Sequence, residues 1–215
     1  MIQEMRAAIF DLDGVIVNTA KYHYLAWKCL ANEYGFDFTE ADNERLKGVS
    51  RTQSLEILLE IAGLTFDDSI KAQMAVCKNE WYVDYIRHMD ASEIMPGAID
   101  YLQRIRAKGI KTALGSASRN APLILERLGI SALFDVIVDG NKVIKAKPDP
   151  EVFLRAANEL GIPPASCIVF EDAEAGIEAA RRAGMGAVGI GNTHTLKEAD
   201  IVIPGLFALV VISAC

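Results

Sequence analysis

In the stretch IFDLDG at 9–14, Asp11 and Asp13 stand two positions apart, between an apolar run and a glycine. Side chains alternate faces along a strand, so an i, i+2 pair points one way wherever the strand continues. Two acids aimed at one point repel each other unless a cation sits between them or one holds a proton. Taken alone, such a pair is better explained as a helix N-cap beside a solvated loop acid. Three further stretches change that reading. GSAS at 115–118 offers the Ser116 hydroxyl, with Ala117 and Ser118 behind it, at the start of a helix, where backbone N–H groups cradle phosphate. Serine there is also an ordinary N-cap. KAKP at 145–148 sets Lys147 beside a proline, by itself a bland surface turn. EDAEAG at 171–176 brings a second acid pair, Glu171 and Asp172, at the opening of another helix. Together they form one kit. The carboxylates suit Mg²⁺, a hard ion that prefers oxygen ligands. Metal, lysine and serine would surround a phosphoryl group and leave one aspartate free to attack it.

The elements that must position this kit are legible as an alternation. Short apolar runs at Ala7–Phe10, Lys111–Gly115, Val136–Val138, Cys167–Phe170, Ala187–Ile190 and Ile201–Ile203 read as strands. Several lack an in/out alternation, as strands of a parallel sheet covered on both faces do. Helical patterns lie between them. Ile99, Leu102 and Ile105 share a face between Pro96 and Gly109; Leu123–Leu128, Pro150–Leu160 and Gly176–Ala183 each stop at a glycine. The rhythm predicts a doubly wound, Rossmann-like α/β sheet with its ligand site beyond the carboxyl ends of the strands.

Residues 18–91 break the rhythm. They hold no convincing strand but show helical periodicity at Tyr22–Tyr34, Ser54–Ala62 and Ser69–Ile86. A stretch of roughly 70 residues is too long for a βα loop. The expected organisation is therefore an α/β core of residues 1–17 and 92–215 with an all-helical module, 18–91, inserted after the first strand.

The 215 residues suit one medium domain with an insertion, and a net charge of −7 supplies no basic stripe for nucleic acid. Cys29, Cys77, Cys167 and Cys215 are far apart and read as reduced thiols of a cytoplasmic protein. The N-terminal segment does not read as a signal peptide, its apolar stretch being short and running straight into acids, and the C-terminal run GLFALVVI is too short to span a bilayer. It reads as a buried strand or packing segment.

The motifs DLDGV at 11–15, SAS at 116–118, Lys147-Pro148 and Glu171-Asp172 resemble, in order, the four motifs of the haloacid dehalogenase superfamily of phosphotransferases. The resemblance implies that Asp11 is a nucleophile forming an aspartyl-phosphate and that Asp13 is the general acid/base. It implies one Mg²⁺ held by Asp11, the carbonyl of Asp13 and Asp172, with Glu171 assisting, and Ser116 and Lys147 on the transferring phosphoryl group.

Within that superfamily the insertion resembles the β-phosphoglucomutase branch, in VNTAKYHYLAWK at 17–28, LKGVSRTQSL at 46–55, Lys78-Asn79 and, after the second strand, Ser118-Arg119-Asn120. This implies an isomerase acting on a sugar phosphate, through β-D-glucose 1,6-bisphosphate. A monomer is expected because the sheet and the helical module need no partner to close, and a cytoplasmic one from its reduced thiols. A mutase must grip a second phosphate, which the resemblance assigns to Arg51, Ser118, Arg119 and Asn120, arginine being well suited to fork onto phosphate oxygens. His23, Trp27, Lys47, Gly48, Val49, Ser50, Ser54 and Lys78 are expected to contact or frame the sugar. Trp27 is equally readable as packing within the module; Arg51 could be read as a solvated loop charge, but its GVSR context favours phosphate binding. Asn18 and Arg119 depart from the residues common in the family, aspartate and lysine. Two rival readings stay open: a Mg²⁺-dependent sugar-phosphate phosphatase on the same fold, and a non-catalytic sugar-phosphate-binding protein.

Overall fold

The computed structural model of the protein describes residues 4–46 and 49–211. After β1 (Ala7–Phe10) the chain forms α1 (Ala20–Glu33), α2 (Glu40–Glu44), α3 (Arg51–Ala62) and α4 (Asp68–Arg87). It then alternates α5 (Ala98–Ala107), β2 (Lys111–Gly115), α6 (Ala121–Arg127), β3 (Val136–Val138), α7 (Glu151–Leu160), β4 (Cys167–Glu171), α8 (Glu174–Arg182), β5 (Gly186–Ile190), β6 (Ile201–Ile203) and α9 (Phe207–Val211). The chain divides into two compact units, Met1–Asn18 with Met89–Cys215, and Thr19–His88.

In the first unit the strands form one parallel sheet in the order β3-β2-β1-β4-β5-β6. The runs AAIF and CIVFE are buried at every position, because both faces are covered. On one face Ile9, Ala113 and Val169 pack with Phe153 and Ala156 of α7 and with Ile177 and Ala180 of α8. On the other, Phe10 stacks on Phe170 at a ring spacing of 4.8 Å, and Tyr101 of α5 meets Phe170 edge-on at 5.5 Å. The strand order reverses at β1, between β2 and β4, and a doubly wound sheet opens its crevice beyond the carboxyl ends at that point.

The segments at 16–18 and 93–95, where the chain leaves and re-enters this unit, pair with each other. Asn18 N–H donates to Glu93 O at 2.8 Å and Met95 N–H to Ile16 O at 2.9 Å. The apolar run near the C-terminus departs from the strand alternative: after β6 it becomes the short helix α9. Pro204 and Gly205 break the extended backbone, and the helix seats on α5, where Arg104 donates to the Val210 carbonyl at 2.8 Å. Among the described residues no helix is long and apolar enough to cross a membrane.

The second unit is all-helical. Trp27 and Leu30 of α1, Phe38, Leu55 and Leu58 of α3, and Met74 of α4 form its core. Helix α2 has no hydrophobic period and is instead started by a capping box. Thr39 Oγ1 accepts from Asp42 N–H at 3.2 Å, while Asp42 accepts from Thr39 N–H at 2.9 Å.

Candidate functional site

The register of the sheet brings the first acids together. Phe10 is level with Phe170, and Asp11 N–H donates to Phe170 O at 2.9 Å, so Asp11 leaves β1 beside Glu171, the last residue of β4. Lys147, 136 positions from Asp11, reaches both from the loop between β3 and α7. Its Nζ donates to Asp11 Oδ1 at 2.5 Å and to Glu171 Oε2 at 2.8 Å. The side chains of Lys147, Asp11 and Glu171 are only 8%, 10% and 2% exposed. The loop carrying Lys147 is fastened to α7. Glu151 accepts from the Ile144 and Lys145 amides, at 2.8 Å for Lys145, and Arg155 donates to Lys142 O.

Burial alone would depress the Lys147 ammonium, but the charges of Asp11 and Glu171 more than compensate and raise it above its ordinary value. Glu171 is raised as well, which for a carboxyl favours the neutral form: desolvation, then the charge of Asp11, pushes it up to about 8 despite the lysine. Asp172 is pushed up to about 7 by desolvation and by the charges of Asp11 and Asp13. Asp172 keeps an exposed face, so the like charges are the firmer cause of its upward direction. Asp11, Glu171 and Asp172 offer ligand oxygens that all lie within 4.8 Å of one another. This all-oxygen set, with more carboxylates than its one lysine neutralises, fits a hard divalent cation.

Asp13 joins this group by a different route from strand alternation. Strand β1 ends at Phe10, and residues 12–17 fold into a tight turn in which Gly14 N–H donates to Val17 O at 2.8 Å and Val17 N–H to Leu12 O at 3.0 Å. Asp13 is half-buried on this turn, with its charge acting on Asp172.

The phosphate cradle expected at residues 116–118 also differs in detail. Helix α6 starts only at Ala121, and the serines bind their own loop. Ser116 Oγ accepts from Ser118 N–H at 3.1 Å, and Ser118 Oγ accepts from Asn120 N–H at 3.3 Å. Those two amides are therefore engaged before any ligand arrives. Ser116 is buried, Ala117 and Arg119 are exposed, and Ser118 and Asn120 are half-buried.

One residue shaping this site escaped the sequence reading. A Cβ on Gly176, in α8, would stand 2.0 Å from Glu171 Cδ. Glycine to alanine within a helix ordinarily stabilises by about 0.4–1 kcal/mol. Here the displaced atoms belong to a buried carboxylate pinned by Lys147, so Gly176→Ala is expected to cost about 1–3 kcal/mol. Urea unfolding decides between these signs; a stabilised variant would show that Glu171 is free to move. The signal in the sequence was a glycine four residues beyond an acid pair.

In the helical unit a second group assembles. Lys78 Nζ lies 3.0 Å from His23 Nδ1 and over the rings of Trp27 and Tyr82, at 4.6 and 4.8 Å. His23 stacks on Tyr82 with a ring spacing of 4.2 Å. Desolvation, then the charges of Lys78 and Arg51, hold the imidazole well below its ordinary value. The neutral ring accepts from Lys78 at Nδ1, which leaves its proton on Nε2 as a donor. Arg51 donates to Asn79 Oδ1 at 2.7 Å, a partner the sequence presented beside Lys78. Trp27, Ser54 and Lys78 are buried inside the unit, Trp27 within its apolar cluster. Ser50 caps α3, its Oγ accepting from Gln53 N–H at 3.3 Å, and Val49 is half-buried. Lys47 and Gly48 lie outside the described residues.

Comparison with known proteins agrees with this chemistry. Residues 5–184 match the family model of haloacid dehalogenase-like hydrolases. A β-phosphoglucomutase of Bacillus subtilis is 45% identical over 93% of this chain and 89% of its own. A phosphorylated carbohydrates phosphatase of Thermotoga maritima is 34% identical, covering 96% of this chain and 94% of its own. The crystal structure of a β-phosphoglucomutase from Clostridium difficile superimposes with a TM-score of 0.89 at 44% identity, over 95% of this chain and 93% of that one. A buried Asp-Lys-Glu triple at the strand-order reversal, the matched family model and these full-length relatives agree: the chain belongs to the haloacid dehalogenase-like hydrolase family.

Proposed function

We propose that this enzyme is a Mg²⁺-dependent β-phosphoglucomutase, interconverting β-D-glucose 1-phosphate and D-glucose 6-phosphate through β-D-glucose 1,6-bisphosphate. The observation that carries the chemistry is Lys147 held between the buried carboxylates of Asp11 and Glu171 at adjacent strand ends. The similarity to two β-phosphoglucomutases supports the choice of substrate.

Asp11 attacks phosphorus, forming an aspartyl-phosphate as the bond from phosphorus to the sugar oxygen breaks. Asp13 gives its proton to that departing oxygen and, in the return direction, takes one from the attacking sugar hydroxyl. Lys147 neutralises charge on the phosphoryl oxygens. Ser116, whose Oγ already accepts from Ser118, turns its own proton toward the same group. Asp11, Glu171, Asp172 and the Asp13 carbonyl would hold Mg²⁺, which when bound supplies further charge neutralisation at the phosphoryl oxygens. Arg51, Ser118, Arg119 and Asn120 are assigned to the second phosphate. His23, Lys78 and the 47–50 loop are assigned to the sugar, with Trp27 and Ser54 framing them. We further propose a cytoplasmic monomer with no nucleic-acid or membrane partner.

The raised carboxyls set a pH dependence. A carboxyl whose folded value exceeds its unfolded value binds more protons when folded, so the metal-free protein loses stability as pH rises through that window. For Glu171 and Asp172 the window runs from the ordinary carboxylate range up to about 8 and about 7. Mg²⁺ competes with those protons. Its thermal stabilisation is expected to be small at low pH and to grow steadily to pH 8, as measured by melting with and without the ion. A stabilisation independent of pH would remove these carboxylates from the metal site.

The phosphorylated carbohydrates phosphatase among the relatives favours one second reading, simple hydrolysis of a sugar phosphate. The deciding experiment follows glucose 6-phosphate and inorganic phosphate together, from β-glucose 1-phosphate, Mg²⁺ and a trace of the bisphosphate. The mutase produces glucose 6-phosphate far faster than phosphate and depends on the bisphosphate. Phosphate release keeping pace with sugar turnover makes the enzyme a phosphatase.

A further inference from the structure

We infer that the turn Asp139-Gly140-Asn141, just past β3, positions the loop that carries Arg119 and Asn120, and that Asn141 is a positioning residue for the grip on the second phosphate. The inference rests on the assignment of Arg119 and Asn120 to that phosphate.

The loop at 116–120 is held from two sides. Its own serines engage two of its amides, those of Ser118 and Asn120. The turn engages its carbonyls: Gly140 N–H donates to Ser118 O at 3.2 Å, and Asn141 Nδ2 donates to Arg119 O at 2.9 Å. Ser116 is tied separately, its N–H donating to Val138 O at 3.0 Å. The turn is itself ordered, because buried Asp139 accepts from Asn141 N–H at 2.8 Å and its carbonyl accepts from Lys142 N–H at 3.0 Å.

Gly140 is required here by space. A Cβ on it would stand 2.2 Å from the Ala117 carbonyl oxygen and 3.1 Å from Arg119 Cγ. Any side chain at position 140 would push the phosphate loop away and displace the root of Arg119. The Arg119 side chain is exposed and has several rotatable bonds, so a fixed backbone root limits where its guanidinium can travel. Pre-ordering the loop reduces the entropy lost when a phosphate binds. Asn141 is exposed, and its side chain buries no apolar surface whose loss would unfold the chain.

The test compares Asn141→Ala, Asn141→Asp and Arg119→Ala with the unaltered enzyme. Three readings are taken: the KM for β-glucose 1,6-bisphosphate, the rate at which acetyl phosphate phosphorylates Asp11, and Tm. Acetyl phosphate carries a single phosphate and does not need the second grip. Asn141→Ala is expected to raise the bisphosphate KM about fivefold, the worth of one net hydrogen bond, with the acetyl phosphate rate and Tm unchanged. Asn141→Asp, isosteric but presenting an acceptor to the Arg119 carbonyl, is expected to raise it further. Unchanged KM in both Asn141 variants, with a raised KM in Arg119→Ala, overturns the positioning role and leaves the phosphate assignment intact. Unchanged KM in Arg119→Ala overturns that assignment and the inference built on it. A parallel fall in both activities and in Tm reduces Asn141 to a structural residue and also overturns the inference.

Discussion

Asp11→Asn is expected to lower turnover by at least about 10⁴-fold while leaving the protein folded. Asparagine keeps the shape of the side chain and removes the carboxylate proposed to attack phosphorus, so no aspartyl-phosphate is expected. The fold tolerates the change because Lys147 retains Glu171 as its partner at 2.8 Å. Removing the Asp11 charge also relieves the repulsion that raises Glu171 and Asp172, so both carboxyls fall toward their ordinary range. The variant's stability should therefore decline less steeply as pH rises. Mass spectrometry after incubation with the bisphosphate, together with turnover, checks the first effect. A phosphorylated variant, or turnover above about 1% of the unaltered enzyme, would place the nucleophile elsewhere.

Lys147→Met is expected to be the most destabilising change at this site, at about 3 kcal/mol at pH 8 without metal. Methionine fills similar volume but leaves the carboxylates of Asp11 and Glu171 together in a site where they are almost buried. The sign with pH follows from the protonation of Glu171. Without the ammonium, Glu171 rises further above its unfolded value, so stability is lost as pH climbs through that wider window. At pH 5.5 a proton on Glu171 replaces the lysine and the loss shrinks. Turnover should fall by at least about 10³-fold at either pH, since the cation proposed to face the transferring group is gone. Urea unfolding at pH 5.5 and 8 measures the difference. Equal losses at the two values would mean that Lys147 acts through its cation–π contact with Phe153, whose ring lies 4.8 Å from Nζ, and not through the carboxylates.

These effects meet at residues that the sequence already presented in order. Its apolar runs place the six strands, with β4 reaching one residue further, to Glu171, and β5 starting one earlier, at Gly186. That one residue matters, because it puts Glu171 on the strand itself, level with Asp11. The long helices were equally legible, since a 3.6-residue period and a terminal glycine are local signals. Helix α2 and helix α9 were not, because five residues carry no readable period. Their starts depend on a capping box in one case and on a seat against α5 in the other.

The sequence by itself determined which chemical groups are available and after which strands they follow: Asp11, Asp13, Ser116, Lys147, Glu171 and Asp172. Residue type and hydrophobic period are properties of short stretches, and they survive without the fold. Only the tertiary structure decided how those groups meet. It set Lys147 between two carboxylates lying 136 and 24 positions away, and it raised Glu171 and Asp172 by crowding like charge into a desolvated place. It turned the serines of residues 116–118 onto their own loop, and it made Gly140 and Gly176 indispensable for the space they leave. Charge interactions and close approaches depend on distance in space, and distance between remote segments exists only once the sheet has brought its strand ends together.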